Sequence, residues 1–212
     1  MHPAKFSNEF IPIFARLLHG CKVVLDPFAG TGKIGLIRNF GFFGRIICNE
    51  IEEGFKEDYN VEWHFGDSQN LDYLADGSVD AICTSPTYGN RMADTYTDHT
   101  KRMTYTAQLG HKLKDGNTGA MQFGKKYQEK HVAIYRELFR VLKPCGLFIL
   151  NVSNHVRGGQ EIDVANWHKA ELEKLGFKMK QNIEIETKRM GFGQNGNKRC
   201  KCEFIMVFEK QV

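Results

Sequence analysis

Long apolar runs, internal repeats and low-complexity tracts are all missing from this sequence of 212 residues. No stretch approaches the roughly 18 uninterrupted apolar residues that a membrane-spanning helix requires, so such a helix is excluded. Residues Met1–Lys5 contain no basic segment followed by an apolar one, so no signal peptide is expected. With 42% hydrophobic and 25% charged residues, the composition indicates an ordinary soluble globular protein, and the length suits a single domain, 1–212.

Cysteines are few, and six in a chain of this length do not make a disulfide framework. Cys48 and Cys83 lie in strand-like runs, where cysteine behaves as a small buried hydrophobic residue. Cys200 and Cys202 form a C-x-C pair without a second pair at zinc spacing, so no metal site is expected. We therefore expect a reduced, cytoplasmic protein.

The net charge of +4 is unevenly distributed along the chain. Residues 90–130 carry +4 and residues 187–202 carry +5, which leaves −5 for the rest of the chain. Two basic segments on an acidic body suggest a polyanionic partner such as a nucleic acid. The alternative is that both segments are solvated loops whose charge has no function.

Runs of strand character alternate with helical periodicity along most of the chain. This alternation predicts an α/β fold with a mainly parallel sheet, which binds ligands at the carboxyl ends of its strands. Between Gly89 and Tyr127 no element is recognised. Residues 143–146 are expected to end the preceding helix, before the fifth strand begins. The predicted strands are 21–26, 45–50, 61–65, 79–83, 147–152, 183–187 and 203–208, and the predicted helices are 10–18, 33–40, 129–142 and 164–175.

The strongest local signal is the turn Asp26–Gly32, with the sequence D-P-F-A-G-T-G, between a predicted strand and a predicted helix. Glycine lets a backbone turn tightly and approach a ligand where a Cβ atom would collide. Glu50, at the end of the second strand, has the spacing of a carboxylate that binds ribose hydroxyls. The lysine–hydroxyl pair of a triphosphatase phosphate loop and the third glycine of an NAD-binding turn are both absent, which disfavours both classes.

A second signal, T-S-P-T-Y-G at Thr84–Gly89, follows the fourth predicted strand. Pro86 lacks an N–H and fixes the chain, which leaves carbonyl oxygens free to point outward. Ser85 adds a hydroxyl and Tyr88 a flat ring, so the segment suits a planar group that carries an amine. The alternative is a strand that ends in a proline-containing turn with a core tyrosine.

Together these segments resemble the motifs of S-adenosylmethionine-dependent DNA amino-methyltransferases. The turn Asp26–Gly32 is similar to the F-x-G-x-G cofactor motif of that family, and Ser85–Tyr88 is similar to its catalytic motif, in which two prolines precede an aromatic residue. His2–Phe6 is similar to a family segment that helps to hold the methionine end of the cofactor. The resemblance implies a Rossmann-like class I methyltransferase fold, with a mainly parallel seven-stranded sheet and an antiparallel strand near the C-terminus.

The resemblance also implies a set of contacts with S-adenosylmethionine. The turn would hold the methionine half of the cofactor, with Asp26 near its amino group. Glu50 would bind the ribose hydroxyls, and Asp67 would bind the adenine amino group, although an ordinary turn aspartate is the alternative for Asp67. The implied cofactor-binding residues are Lys5, Phe6, Asp26, Phe28, Gly30, Gly32, Glu50, Asp67 and Ser85.

The implied catalytic residues are Ser85, Pro86 and Tyr88. The Ser85 hydroxyl and the Pro86 carbonyl would accept hydrogen bonds from an exocyclic amine of a flipped-out base, and Tyr88 would stack on that base. Thr87 stands where the family has its second proline, which puts the activity in doubt. Serine at position 85 resembles the cytosine-specific members, so N4 of cytosine is preferred over N6 of adenine.

The basic segments are expected to contact the phosphates of the substrate. The insertion 90–130 follows the catalytic motif and is expected to face the substrate, and the loop 188–202 is expected to form a second clamp. DNA is the expected partner; RNA and a catalytically silent nucleic-acid-binding subunit remain open, and any restriction nuclease would be a separate chain. His99, His111 and His131 are expected to be solvated or hydrogen-bonded rather than metal ligands. The candidate nucleic-acid-binding residues are Arg91, Lys101, Arg102, Lys125, Arg189, Lys198, Arg199 and Lys201.

Overall fold

A computed structural model describes residues 6–89, 104–187 and 200–212 of the chain. The described strands are β1 (Val23–Asp26), β2 (Arg45–Glu50), β3 (Glu62–Phe65), β4 (Val79–Thr84), β5 (Leu142–Val152), β6 (His155–Arg157), β7 (Gln160–Ile162), β8 (Phe177–Glu186) and β9 (Cys202–Lys210). Seven of them form one sheet in the order β3-β2-β1-β4-β5-β9-β8, and β6 pairs with β7 in a separate hairpin. β9 is antiparallel to both of its neighbours, while the other pairs in the large sheet are parallel. The predicted fold class is confirmed.

Helices cover both faces of this sheet. The described α-helices are α1 (Ile11–Leu17), α2 (Tyr105–Leu109), α3 (Lys125–Val141) and α4 (Val164–Lys174). Short 3₁₀ helices are formed by Asn8–Phe10, Lys33–Phe40, Glu53–Phe55 and Thr118–Ala120. Among the described residues, no helix is both long enough and apolar enough to cross a membrane.

Successive residues of β1 contribute to two separate hydrophobic cores. Leu25 belongs to the same buried cluster as Leu138 of α3 and Leu172 of α4. Val24 belongs to the cluster on the opposite face, with Phe14 of α1 and Ile34. Parallel strands that are covered on both faces must be apolar throughout, which explains the unbroken apolar runs in the sequence. This packing holds the parallel strands in register, so the loops after β1 to β4 meet along one edge of the sheet.

The prediction that no element lies between Gly89 and Tyr127 is wrong. α2 and the 3₁₀ helix Thr118–Ala120 lie in this interval, and α3 begins at Lys125, inside the predicted insertion 90–130. α2 has five residues, too few for a periodic pattern, and local interactions define its ends. The Thr104 hydroxyl accepts a hydrogen bond from the backbone N–H of Ala107, and Gly110 ends the helix at φ +76°.

Several other elements differ in detail from the predictions. β8 begins at Phe177 rather than at Ile183. Residues 143–146 lie inside β5 rather than before it, because Cys145 adopts φ +59° and the register against β4 shifts, which keeps the strand paired across an irregularity. Residues 33–40, predicted to be helical, form a 3₁₀ helix. The hairpin β6–β7 was not predicted, although Gly158 and Gly159, both at positive φ, are the residues that a two-residue hairpin turn requires.

Candidate active site

The loop after β1 and the loop after β2 are joined by the carboxylate of Glu50. Its Oε2 atom accepts a hydrogen bond from the backbone N–H of Gly30 at 2.7 Å. Its Oε1 atom accepts from the N–H groups of Ile51 and Glu52 at 2.9 and 3.0 Å. Burial raises the pKa of Glu50 to about 7, against the lowering effect of these three donors. Glu50, which is predicted to bind the ribose hydroxyls, thus also holds the glycine-rich loop in place.

Asp26, at the end of β1, is fully buried and only partly satisfied. Its Oδ1 atom accepts hydrogen bonds from the Thr84 hydroxyl at 2.6 Å and from the Phe28 N–H at 3.1 Å. Its Oδ2 atom is buried and has no hydrogen-bond partner among the described residues. Burial raises the pKa of Asp26 to about 7. A buried acceptor without a donor is costly to keep, so this atom calls for a partner such as a water molecule or a bound ligand.

The glycines of the loop are needed for steric reasons. Gly30 and Gly32 adopt φ values of +55° and +78°, a region that residues with a Cβ atom rarely occupy. A Cβ atom on Gly32 would lie 2.6 Å from the Trp63 ring. The loop therefore passes closer to the side chain of Trp63 than a residue with a Cβ atom at position 32 would allow.

The loop after β3 is tied to the same edge. The Ser68 hydroxyl donates to the Pro27 carbonyl at 2.5 Å and accepts from the Asn49 side-chain amide at 2.8 Å. Asp67 accepts hydrogen bonds from the Gln69 N–H at 3.0 Å and from the ammonium group of Lys130 on α3. The structure thus brings Asp67 to the predicted edge, already paired with a lysine, and its contact with adenine stays a prediction.

Ser85 and Tyr88 come together with two residues that sequence reasoning missed. The hydroxyl oxygens of Ser85 and Tyr88 are 3.3 Å apart. The Tyr88 hydroxyl also lies 3.2 Å from Oε2 of Glu203 on β9 and 3.5 Å from Oδ1 of Asn151 on β5. The Asn151 amide donates to the same Glu203 oxygen at 3.2 Å. A polar residue in the apolar run of β5 was the signal that could have pointed to Asn151.

Pro86 is buried, and no hydrogen bond between described residues ends on its carbonyl oxygen. The residues that follow the proposed acceptor atoms in the chain are held by hydrogen bonds. The Thr87 hydroxyl donates to the Thr118 hydroxyl at 3.0 Å. The Gly89 carbonyl accepts from the Phe123 N–H at 2.7 Å and from the Arg157 guanidinium at 3.1 Å.

Residues 104–124, the described part of the predicted insertion that precedes α3, contact both the loop after β2 and the loop after β4. Oε1 of the buried Glu52, just after β2, accepts hydrogen bonds from the Lys114 N–H at 2.6 Å and the Asn117 amide at 3.0 Å. Thr118 binds Thr87 on the other side, after β4. The insertion therefore borders the glycine-rich loops as well as the Ser85–Tyr88 segment.

Two aromatic residues predicted to bind the cofactor make contacts within the protein. Phe28 stacks on the ring of His131, with centroids 5.5 Å apart and planes 17° apart. Burial lowers the pKa of His131 to about 4, and its Nδ1 atom donates to the Tyr127 carbonyl at 2.9 Å, so this ring is neutral and hydrogen-bonded as expected. Phe6 packs edge-on against Phe14, and its carbonyl accepts from the ammonium group of Lys33 at 2.7 Å. Lys5 lies outside the described residues.

Two of the candidate nucleic-acid-binding residues are described, and both are exposed. Lys125 begins α3 and lies 3.8 Å from Glu129, one turn further along the helix. Lys201 precedes β9, and its carbonyl accepts from the Thr187 N–H at 2.7 Å. Within the described ranges, no group of three or more His, Cys, Asp or Glu residues is arranged to hold a metal ion. The candidates outside those ranges are Arg91, Lys101, Arg102, Arg189, Lys198 and Arg199.

Comparisons with known proteins support the fold and leave the reaction open. No protein-family model matches the chain, and a search of curated proteins finds no match. The structure is similar to a SAM-dependent methyltransferase from Methanosarcina mazei, with a TM-score of 0.60 and 13% identity over 95% of this chain and 98% of that one. It is also similar to TrmN from Thermus thermophilus, with a TM-score of 0.54 and 17% identity over 94% of this chain and 48% of that one.

The cyclase SpnF has a similar fold as well, with a TM-score of 0.61 and 14% identity over 96% of this chain and 80% of that one. At these identities the likeness shows the Rossmann-like methyltransferase fold alone. Because proteins that carry this fold include a cyclase, the reaction has to be argued from the site.

Proposed function

We propose that this protein transfers a methyl group from S-adenosylmethionine to an exocyclic amine of a DNA base, with N4 of cytosine preferred over N6 of adenine. The observation that carries the proposal is the direct contact between the two motifs. The Thr84 hydroxyl, immediately before Ser85, donates to Asp26 at 2.6 Å, so the glycine-rich loop and the Ser85–Tyr88 segment lie side by side. A methyl donor on one and an amine on the other would therefore be neighbours.

The residues around the glycine-rich loop Asp26–Gly32, the first half of the site, fit the cofactor. Oδ2 of Asp26 is a buried acceptor without a donor, which suits the ammonium group of the methionine end. Oε2 of Glu50 accepts one hydrogen bond, and a carboxylate oxygen accepts two, so it has capacity for a ribose hydroxyl. When bound, S-adenosylmethionine supplies the electrophilic methyl group.

The residues of the segment Ser85–Gly89, the second half of the site, suit an exocyclic amine. Such an amine is a weak nucleophile, because its lone pair is delocalised into the ring. Hydrogen bonds from the amine to the Ser85 hydroxyl and the Pro86 carbonyl draw the nitrogen toward tetrahedral geometry and localise that lone pair. Holding the amine in line with the methyl donor contributes the rest through proximity and orientation. As the nitrogen–carbon bond forms, the sulfur–methyl bond would break and release S-adenosylhomocysteine. The methylated amine, which becomes acidic during the transfer, would lose one proton to water.

The Tyr88 ring is proposed to stack on the target base. An amine inside a duplex is paired and out of reach, so the nucleotide is flipped out, and an aromatic ring replaces part of the lost stacking. The Tyr88 hydroxyl is held by Ser85 and Glu203, which fixes the position of the outer end of the side chain before a base arrives. The basic residues of 90–130 and 188–202 are proposed to bind the phosphates around that base.

Single-molecule sequencing of DNA from cells that express the protein tests the proposal. The matched control is the same strain with a Ser85→Ala, Tyr88→Ala variant. We expect methylated cytosine or adenine at a defined sequence with the natural protein and none with the variant. Unmodified DNA in both strains overturns the DNA assignment, and methylated nucleosides in digested RNA from the first strain alone would move the proposal to RNA.

Calorimetry with S-adenosylmethionine tests the cofactor separately. We expect binding by the natural protein and by a Tyr88→Ala variant, because Asp26, Glu50 and Ser85 are intact in both. A folded protein that binds no cofactor would favour a catalytically silent nucleic-acid-binding subunit, the role that Thr87 in the catalytic motif keeps open.

A further inference from the structure

Three buried side chains form a hydrogen-bonded chain that ends on the catalytic segment. Tyr127 and Tyr135 lie two turns apart on α3, and His168 lies on α4; all three are 0% exposed. The Tyr127 hydroxyl is 2.5 Å from the Thr87 carbonyl oxygen and 2.9 Å from Nε2 of His168. The Tyr135 hydroxyl is 2.6 Å from Nδ1 of the same histidine.

The chemistry of these atoms allows one direction for the chain. A carbonyl oxygen only accepts, so the Tyr127 O–H donates to Thr87. The Tyr127 oxygen then accepts from the Nε2–H of His168, and the unprotonated Nδ1 atom accepts from the Tyr135 O–H. Burial lowers the pKa of His168 well below its usual value and raises those of both tyrosines, so the chain stays neutral.

Thr87 is the position where this arrangement matters. A proline here would fix φ through its ring, whereas threonine leaves that angle free. The structure restrains Thr87 by two hydrogen bonds instead, one from Tyr127 to its carbonyl and one from its hydroxyl to Thr118. The N–H of Thr87 shares a peptide plane with the Pro86 carbonyl, so restraining Thr87 limits the directions in which that carbonyl points.

We propose that Tyr127 is a positioning residue that, through its hydrogen bond to the Thr87 carbonyl, aims the Pro86 carbonyl at the substrate amine, in place of the proline that position 87 lacks. This inference rests on the proposed function, because it names what orients the acceptor of that reaction. Tyr127 affects the substrate only through the positions of Thr87 and Pro86, and it takes no part in the chemical step.

The experiment compares Tyr127→Phe with Tyr135→Phe. Each change removes one buried hydroxyl from α3 and one hydrogen bond to His168. Tyr127→Phe also removes the hydrogen bond to the Thr87 carbonyl, which is the contact under test. Only Tyr127→Phe releases Thr87. With tritiated S-adenosylmethionine and DNA from cells that lack the protein, we expect kcat to fall about 10- to 100-fold in Tyr127→Phe, and by less than about 3-fold in Tyr135→Phe. The KM for S-adenosylmethionine stays unchanged in both.

A rescue by proline sharpens the test. If a hydrogen bond replaces the missing ring, Thr87→Pro makes Tyr127 less necessary, so Tyr127→Phe costs less than about 3-fold in that background. An equal loss of kcat in the two backgrounds overturns the proposal, as does an equal loss in Tyr127→Phe and Tyr135→Phe. If Thr87→Pro does not fold, Thr118→Val takes its place. The double variant with Tyr127→Phe must then lose more than the product of the two single losses.

Hydrogen exchange keeps this inference separate from the proposed function. Amide exchange measured by mass spectrometry over residues 85–89 requires no substrate. We expect exchange there to accelerate about tenfold or more in Tyr127→Phe and to remain near the natural rate in Tyr135→Phe. If the natural protein methylates neither DNA nor RNA, the proposed function fails while exchange still reports on positioning. Unchanged exchange in Tyr127→Phe overturns the positioning role even in an active enzyme.

Discussion

The two halves of the candidate active site are held together by different chemistry. Around the glycine-rich loop, buried carboxylates do the holding: Asp26 and Glu50 accept backbone N–H groups, and burial raises the pKa of each to about 7. Around Ser85–Gly89, the segment is held by neutral groups, among them Tyr127, Thr118 and the Phe123 N–H, together with the guanidinium of Arg157. The first half should therefore respond to pH and the second should not. Negative charge suits the proposed binding of the cofactor's ammonium group by the first half. Fixed geometry suits the second half, whose oxygen lone pairs on Ser85 and Pro86 are proposed to face the amine.

The largest expected effect comes from crowding the glycine-rich loop. Gly32→Ala combines a positive φ with a Cβ atom 2.6 Å from Trp63, whose ring is stacked on Phe65. We expect a loss of about 2 to 4 kcal/mol in the free energy of unfolding, together with weaker cofactor binding. Chemical denaturation followed by calorimetry measures both.

The matched control for that change is Gly41→Ala. Gly41 has φ +85°, but nothing lies within 4 Å of an added Cβ atom, so the backbone strain remains and the collision is absent. We expect a loss of about 1 kcal/mol and unchanged cofactor binding. Equal losses at the two positions would mean that the close approach of the loop to β3 contributes nothing.

The second prediction concerns pH and the cofactor half. Because the folded pKa of Asp26 is raised above its unfolded value, the folded state binds the extra proton between about pH 4 and 7, and stability falls as pH rises through that window. Asp26→Asn removes this dependence. We expect the variant to exceed the natural protein by roughly 1 to 3 kcal/mol at pH 8 and to match it near pH 4.

Thermal unfolding across that pH range checks the sign. Cofactor binding should change in the opposite sense. The natural protein should bind S-adenosylmethionine less tightly as pH falls below about 7, because a protonated Asp26 no longer pairs with the ammonium group. The Asn variant should bind weakly at every pH. A natural protein whose stability rises between pH 5 and 8 relative to the Asn variant would show that burial does not dominate at Asp26.

The third prediction compares the removal of one tyrosine hydroxyl from each half of the site. Tyr88→Phe keeps the ring for stacking and removes the hydroxyl that binds Ser85 and Glu203. We expect kcat for methyl transfer to fall about 3- to 10-fold with the affinity for S-adenosylmethionine unchanged. Tyr73→Phe removes a hydroxyl that donates to Asn49 at 3.1 Å and should weaken cofactor binding with little change in kcat. Steady-state kinetics with calorimetry separates these outcomes, and a variant that changes both quantities contradicts the division into halves.

The difference between the halves also explains what could be predicted from the sequence. Asp26–Gly32 is a contiguous turn, and Glu50 lies a short distance along the chain, so local patterns indicated the cofactor half. The acceptor half depends on distant partners: 115 residues separate Tyr88 from Glu203, and 40 separate Thr87 from Tyr127. A tyrosine with helical spacing reads as an ordinary core residue, and only the fold shows that its hydroxyl meets a carbonyl of the catalytic segment.

Some of the missed features did have a local signal. Gly158-Gly159 between two short strands is a recognisable hairpin turn, and the hairpin matters because Arg157 binds the Gly89 carbonyl. Asn151 is the polar residue in an apolar strand, which marks it as a residue with a partner. In contrast, the 3₁₀ form of residues 33–40 had no signal in the sequence, because apolar spacing alone does not separate it from an α-helix.

The smallest expected effect concerns the basic residues, which belong to neither half. Lys201 is exposed next to β9, close in sequence to Glu203, and is proposed to contact a phosphate. Lys201→Ala should weaken DNA binding by about 2- to 5-fold and reduce the slope of log K against log salt by about 1, uniformly across DNA sequences. The control is Lys174→Ala, because Lys174 is also exposed but is paired with Glu171 at 2.6 Å on α4. Fluorescence anisotropy at several salt concentrations measures both variants. Because a phosphate contact changes the salt slope whereas a solvated loop does not, identical slopes for the two variants would return the segment 188–202 to the alternative of a charged loop without function.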